Sequence, residues 1–187
     1  MTATQITLIT VADLEAMGNE AERLELMEGV VYEMSPAGGR HGRIQSDLNF
    51  ELELFIRANT LGEIFGSDTG FVISRNPDTL LAPDLAFVAN NRLTEGEDAP
   101  VGFIPFAPDL AVEVVSPSNT EPSMLLKTAL YLAGGVRTVW LVRPEQRTVT
   151  VFTSDSPEQI LGIDEALDGG DILPGFSLPL SKIFRRA

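Results

Sequence analysis

The segment that most constrains the fold is an apolar run at residues 109–115, which has the length of a single strand. Its β-branched residues are typical of a strand that is buried on both faces at the centre of a sheet. Glu113 lies in the middle of this run. Burying an ionised carboxylate is costly unless it is paired, hydrogen-bonded or bound to a metal. The sequence therefore predicts a partner for Glu113.

Two residues elsewhere in the chain are the best candidates for that partner. Asp84 follows Pro83 at the start of another apolar segment, and Lys127 lies in a helical pattern after the central strand, on the same face as Tyr131. Lysine is rare in this chain, since Lys182 is the only other one. Two acids and one lysine at one edge of a sheet are the components of a metal-dependent phosphodiesterase.

The predicted metal site uses both acids. Magnesium binds oxygen ligands and keeps several waters, so one or two carboxylates and a substrate phosphate can complete its site. We therefore predict that Asp84 and Glu113 bind Mg²⁺ or Mn²⁺, and that Lys127 stabilises charge on the phosphate or helps to activate water. In the alternative, structural interpretation, Asp84 begins a strand, Glu113 pairs with a basic residue, and Lys127 extends its amine to solvent.

His41 and Glu25 are further candidate catalytic residues. His41 is the only histidine and follows a glycine-rich loop at the start of a predicted helix. It either caps the helix or lies near the metal, where it would orient a water or a phosphate. Glu25 lies in a predicted β-hairpin and is either solvated or a further ligand or supporting residue of the metal.

The pattern of apolar residues predicts a mixed sheet flanked by a few helices, an α/β or α+β fold in one domain over residues 1–187. An N-terminal β-hairpin at 23–34 follows a short helix that begins near Thr10 and ends at Gly18. A long amphipathic helix covers 41–59, and a shorter one follows the central strand to about 133. The remaining segments are predicted strands at 62–66, 70–74, 83–88, 136–142, 147–153 and after 158, a turn at 76–79, and a mobile excursion at 90–107 with an acidic stretch at 95–98.

Composition limits the classes of partner. The formal net charge is −14, from 13 Lys and Arg against 27 Asp and Glu, which disfavours tight binding to a long duplex unless a local basic patch exists. No apolar run approaches the roughly 20 residues that cross a bilayer. With no cysteine and no visible signal peptide, the sequence predicts a cytoplasmic protein without disulfides or a membrane partner.

An ordered series of motifs runs through the chain: LELMEG at 24–29, MSP at 34–36 with His41, PDLAFV at 83–88, PDLAVEVVSPS at 108–118, Lys127 with Tyr131, GV at 135–136 and VWLV at 139–142. From about residue 8 to about residue 180 the chain thereby resembles the Uma family of restriction endonucleases. The resemblance implies a restriction-endonuclease-like fold of the PD-(D/E)XK nuclease superfamily, with Asp84 and Glu113 as the two acidic ligands. Val115 stands where the superfamily lysine is expected, and the resemblance implies that the following helix supplies this lysine, which points to Lys127.

The resulting hypothesis is a Mg²⁺-dependent DNA endonuclease, a hydrolase of phosphodiester bonds that forms a homodimer. The net charge keeps two alternatives open. One is a non-catalytic interaction or regulatory protein that retains the nuclease scaffold, and the other is a hydrolase of small phosphorylated molecules.

Overall fold

The computed structural model describes residues 8–93 and 100–184 of the chain. Its helices are α1 (Val11–Met17), α2 (Gly39–Asn59) and α3 (Glu121–Ala133). Its strands are β1 (Leu24–Met27), β2 (Val30–Glu33), β3 (Gly62–Gly66), β4 (Phe71–Ser74), β5 (Thr79–Leu81), β6 (Leu85–Ala89), β7 (Leu110–Val114), β8 (Thr138–Arg143), β9 (Thr148–Thr153), β10 (Gln159–Leu161), β11 (Ala166–Asp168) and β12 (Ser177–Pro179).

The central sheet has six strands in the order β10-β9-β8-β7-β6-β3. It is mixed, because β7 pairs in parallel with β8 while the other neighbours are antiparallel. All five residues of β7 are buried, which confirms the prediction of a central strand covered on both faces. The predicted fold class, a mixed sheet flanked by a few helices, is therefore correct.

The two faces of this sheet carry different helices. The buried stripe of α2 packs on one face with side chains such as Leu85, Val112 and Trp140. On the other face, Ala111 and Val139 pack with Tyr131 of α3. Because side chains alternate along a strand, Glu113 shares the face of Ala111 and lies towards α3.

The long helix is confirmed, and α2 begins two residues before the predicted start. Its buried side chains Ile44, Leu48, Leu52 and Ile56 recur every four residues, as one face of a helix requires. The capping of α1 by Thr10 is also confirmed, and α3 is capped by Thr120; each threonine side chain accepts a hydrogen bond from the backbone N–H three residues on.

A second sheet, β2-β1-β5-β4, contains the predicted N-terminal hairpin. The prediction of a turn over residues 76–79 is wrong at Thr79, which begins β5. This strand has only three residues, too few to show an alternating pattern, and all three are buried. The short hairpin of β11 and β12 escapes prediction for the same reason.

The interpretation of residues 90–107 as a mobile excursion is wrong for its second half. Ile104 is buried and forms a parallel bridge with Phe71, exchanging backbone hydrogen bonds of 2.9 Å with Gly70 and Val72. The acidic stretch at 95–98 lies outside the described residues. None of the described helices combines the length and the hydropathy of a membrane span.

Candidate active site

A cavity of about 550 Å³ opens at the edge of the central sheet where β7 ends. All five side chains singled out from the sequence line it: Glu25, His41, Asp84, Glu113 and Lys127. They come from β1, the first turn of α2, the approach to β6, β7 and α3. The volume lies within the range of pockets that bind small molecules or a few units of a polymer.

Strand register brings the two predicted ligands together. β6 and β7 are antiparallel with Leu85 opposite Val112, so the preceding Asp84 falls beside Glu113. The backbone N–H of Val114 donates a hydrogen bond of 2.7 Å to Asp84 Oδ2. Asp84 immediately precedes β6, so its carboxylate lies at the edge of the sheet, within reach of both the Val114 backbone and His41 of α2.

Glu113 is held by two side chains of α3. Lys127 Nζ lies 2.7 Å from Glu113 Oε1, and the Tyr131 hydroxyl donates a hydrogen bond of 2.7 Å to the same oxygen. Lys127 and Tyr131 are four residues apart, so they share one face of the helix. All three residues are buried. The interpretation in which Lys127 extends its amine to solvent is therefore wrong.

Glu25 is also part of this cluster and is not solvated. Its Oε1 lies 2.8 Å from Lys127 Nζ and accepts a hydrogen bond of 2.8 Å from the Ala82 backbone N–H. The lysine thus bridges Glu25 and Glu113. The shared ammonium group thereby holds Glu25 next to Glu113, one of the two candidate metal ligands.

His41 contacts Asp84 directly. Its Nε2 lies 3.0 Å from Asp84 Oδ2, and that hydrogen bond raises the pKa of His41 although partial burial opposes the change. The amide of Gln45 donates a hydrogen bond of 2.9 Å to the backbone carbonyl of Asp84. Both side chains belong to α2, one turn apart, so the helix fixes the position of Asp84.

The protonation states of Glu113 and Lys127 depend on their burial and on the surplus of acidic side chains around them. Burial raises the pKa of Glu113 to about 7, and the charges of Asp84 and Glu25 act in the same direction against the opposing Lys127. Burial lowers the pKa of Lys127, but Glu113 and Glu25 outweigh it, and the net shift is upwards. Lys127 therefore stays protonated at neutral pH.

The donor set fits a hard divalent cation. Among the residues that the structure describes, Asp84 Oδ1 and Glu113 Oε2 have no hydrogen-bond partner, because every contact of these carboxylates goes to Oδ2 and Oε1. The cluster holds three carboxyl groups and one ammonium: Glu25 and Glu113 pair with Lys127, and Asp84 contacts His41. When Glu113 is ionised and His41 is neutral, the carboxylate charge exceeds the charge of Lys127. No group of three or more acidic, histidine or cysteine side chains within residues 8–93 and 100–184 is arranged to hold a metal. A cation here would therefore have two carboxylate ligands and complete its shell with water and substrate, as Mg²⁺ commonly does.

Two residues contribute in ways that the sequence does not predict. Helical spacing places Tyr131 on the face of Lys127 but gives no indication of its hydrogen bond to Glu113. Gln45 follows His41 by four residues on α2, and that spacing is the only signal that could have found it.

We expect Tyr131→Phe to lower the free energy of unfolding by about 1–3 kcal/mol, because a buried carboxylate loses a hydrogen bond. The measurement is urea denaturation. Tyr32→Phe is the matched control, since the other tyrosine of the chain is exposed and its hydroxyl forms no hydrogen bond among the described residues. Equal stability of Tyr131→Phe and the wild type would contradict the assigned contact.

Comparison with known proteins identifies a matching family model and a solved structure with a similar fold. A family model described as "Uma2: Putative restriction endonuclease" matches residues 11–181. No curated protein matches the chain. Among solved structures, the chain is similar to "a putative nuclease belonging to DUF820 from Anabaena variabilis ATCC 29413", with a TM-score of 0.83 and 18% sequence identity over 94% of this chain and 97% of that one. At this identity the likeness shows a shared fold.

Proposed function

This chain belongs to the Uma2 family, and we propose that it is a divalent-metal-dependent endonuclease that hydrolyses phosphodiester bonds of DNA. The observation that carries the proposal is the buried cluster at the C-terminal end of β7, where Glu25 and Glu113 share Lys127 and a third carboxylate, that of Asp84, contacts His41. Such an excess of buried acid is costly for folding alone, and a divalent cation compensates it. The family description and the nuclease-like fold support the same reaction class.

In this proposal the carboxylates of Asp84 and Glu113 would hold Mg²⁺ or Mn²⁺. When bound, the cation polarises the phosphoryl oxygen and lowers the pKa of water. Lys127 stays protonated because its pKa is raised. It therefore acts as a donor that stabilises negative charge on the phosphate, not as a base that activates water.

Two further residues act as positioning groups. His41 contacts Asp84 Oδ2 and so helps to fix the orientation of the Asp84 carboxylate. Glu25 contacts the Lys127 ammonium together with Glu113, and these two contacts fix the position of the ammonium group. Neither residue needs to contact the phosphate in this account.

The test is incubation of the purified protein with plasmid DNA and with single-stranded circular DNA, each in Mg²⁺ or Mn²⁺, with a chelator in parallel. We expect nicked and linear products only when the divalent cation is present. Cleavage that persists in the chelator would contradict the proposal. Hydrolysis of nucleotides without cleavage of DNA would favour the small-molecule alternative, which the net charge of −14 makes the second candidate.

Metal binding is expected to stabilise the fold in a pH-dependent way. A ligand that binds only the folded state and is present at about 100 times its Kd increases the free energy of unfolding by about 2.7 kcal/mol. For a chain of this size, that increase raises Tm by roughly 5–10 °C. The pKa of Glu113 is raised from 4.5 to about 7, so its contribution to stability without metal is present below 4.5 and is lost as the pH rises through 7. Mn²⁺ should therefore raise Tm more at about pH 8 than at about pH 5.5, where protons compete for the site.

Thermal unfolding at both pH values, with Mn²⁺ and with chelator, checks this expectation. Glu113→Gln is the control, because it keeps an acceptor for Tyr131 and removes the negative charge. An equal effect of Mn²⁺ on the variant and the wild type would assign the binding to another site.

A homodimer and a cytoplasmic location complete the proposal. Both rest on the sequence, and sedimentation of the purified protein measures the first. A monomer would remove the homodimer and leave the proposed chemistry unaffected.

A further inference from the structure

An exposed aromatic ring forms one wall of the pocket. Tyr32 of β2 lies directly opposite Glu25 of β1, so the two side chains share a face of their sheet. Glu25 reaches the buried cluster, whereas Tyr32 is 45% exposed and lines the same cavity. Its side chain forms no hydrogen bond or ring contact among the described residues. The packing of the protein therefore does not account for an aromatic residue at this position.

The lining of the cavity also includes apolar side chains of the hairpin and of the loop that follows it. Met27, Met34 and Pro36 belong to this lining, as does Glu33, the exposed chain neighbour of Tyr32. Beside them, Arg23 donates a hydrogen bond of 2.7 Å to the Met34 carbonyl, which fixes the guanidinium at the end of the hairpin. This wall offers one flat ring, apolar surface and one cation. Those are the components that bind a base and its phosphate in a single strand.

The pocket has too few available cations to bind a duplex. Among the described residues that line it, the groups able to carry positive charge are Arg23, Lys127 and His41; Lys127 is engaged by two carboxylates, and His41 is engaged by Asp84. Arg23 has no carboxylate partner among the described residues. Proteins that hold duplex DNA mainly through its backbone contact roughly 6–10 phosphates. A net charge of −14 makes that mode of binding still less favourable.

We infer that this site acts on single-stranded DNA, with the base next to the scissile phosphate stacked on the Tyr32 ring. This inference rests on the proposed nuclease function and adds its substrate class. Bases inside a duplex are stacked on their neighbours and present no free face to a protein ring, so a duplex must be opened first. Stacking tolerates any base sequence and requires few phosphate contacts.

The experiment compares cleavage of one labelled oligonucleotide, free and annealed to its complement, in Mn²⁺. We expect kcat/KM to be at least about tenfold higher for the free strand. Tyr32→Leu keeps apolar bulk but removes the ring, and should raise KM for the free strand roughly tenfold with kcat little changed. Tyr32→Phe keeps the ring, so its KM should lie much closer to that of the wild type than the KM of Tyr32→Leu does.

Val31→Ala is the matched control, because Val31 is the exposed neighbour on the opposite face of β2 and does not line the cavity. Its KM should equal that of the wild type. Binding of the free strand without metal, followed by fluorescence anisotropy, should weaken in Tyr32→Leu and stay unchanged in Val31→Ala. Thermal unfolding of each variant shows whether it is folded.

The remaining outcomes separate this inference from the proposed function. Equal or faster cleavage of the duplex, or a Tyr32→Leu variant with unchanged KM, overturns the single-strand inference and leaves the nuclease proposal standing. A KM for the free strand that rises by about a thousandfold between low and moderate salt also overturns it, because such dependence requires many phosphate contacts. Cleavage of neither substrate overturns both proposals.

Discussion

Asp84→Asn is expected to lower metal-dependent DNA cleavage by at least about a thousandfold while the protein stays folded. The carboxamide keeps an oxygen that accepts the Val114 N–H bond, so the local geometry of the backbone is preserved. It removes the negative charge that a hard cation requires in a site with only two carboxylate ligands. A thousandfold loss corresponds to about 4 kcal/mol of transition-state stabilisation, which is typical when a group essential for charge stabilisation is removed.

The measurement is initial cleavage rate at saturating Mn²⁺, with thermal unfolding as the check of the fold. Asp164→Asn is the matched control, because Asp164 is exposed and does not line the cavity. Its rate should equal that of the wild type. A folded Asp84→Asn variant that still cleaves DNA at the wild-type rate would rule out Asp84 as a ligand.

Lys127→Met is expected to lower the free energy of unfolding by about 3–5 kcal/mol without metal, besides abolishing cleavage. The substitution leaves Glu25 and Glu113 buried with no cation between them, and an unpaired buried charge is strongly destabilising. Protonation of these acids relieves the repulsion. The loss should therefore be larger at about pH 8 than at about pH 5.5, since the pKa of Glu113 is already raised to about 7 with the lysine present.

Chemical denaturation in a chelator measures this effect, and Lys182→Met is the control. Lys182 is the only other lysine, and its ion pair with Glu51 is partly exposed to solvent, so its loss should cost less than about 1 kcal/mol. Mn²⁺ should restore part of the stability of Lys127→Met, because the cation compensates the same charges. A Lys127→Met variant as stable as the wild type in chelator would show that the lysine does not hold the cluster together.

The sequence predicts the fold well wherever an element is long or strongly patterned. The helical spacing of Ile44, Leu48 and Leu52 predicts α2, and the apolar run around Glu113 predicts the central strand. The predictions that fail concern short strands and one segment that is held in place by residues distant in the sequence. β5 has three residues, and Ile104 is held by backbone bonds to Gly70 and Val72, more than 30 positions away.

The candidate site is predictable in its residue types and not in its contacts. An acid inside an apolar strand requires a partner, and a rare lysine one helix later supplies a candidate. The burial of Glu25 depends on the N–H of Ala82, which is 57 positions away and comes close only through the unpredicted β5. His41 and Asp84 are 43 positions apart and meet because α2 packs across the sheet. A local sequence pattern cannot predict contacts between residues that are so far apart in the chain.

The central claim is that a divalent cation binds between Asp84 and Glu113. Anomalous diffraction from a crystal soaked in Mn²⁺ at a pH above 7 tests it most directly. We predict one strong peak at roughly 2.1 Å from Asp84 Oδ1 and from a carboxylate oxygen of Glu113, with Lys127 still beside Glu25. Crystals that show no anomalous density in this pocket, with Glu113 held by Lys127 and Tyr131 alone, would contradict it.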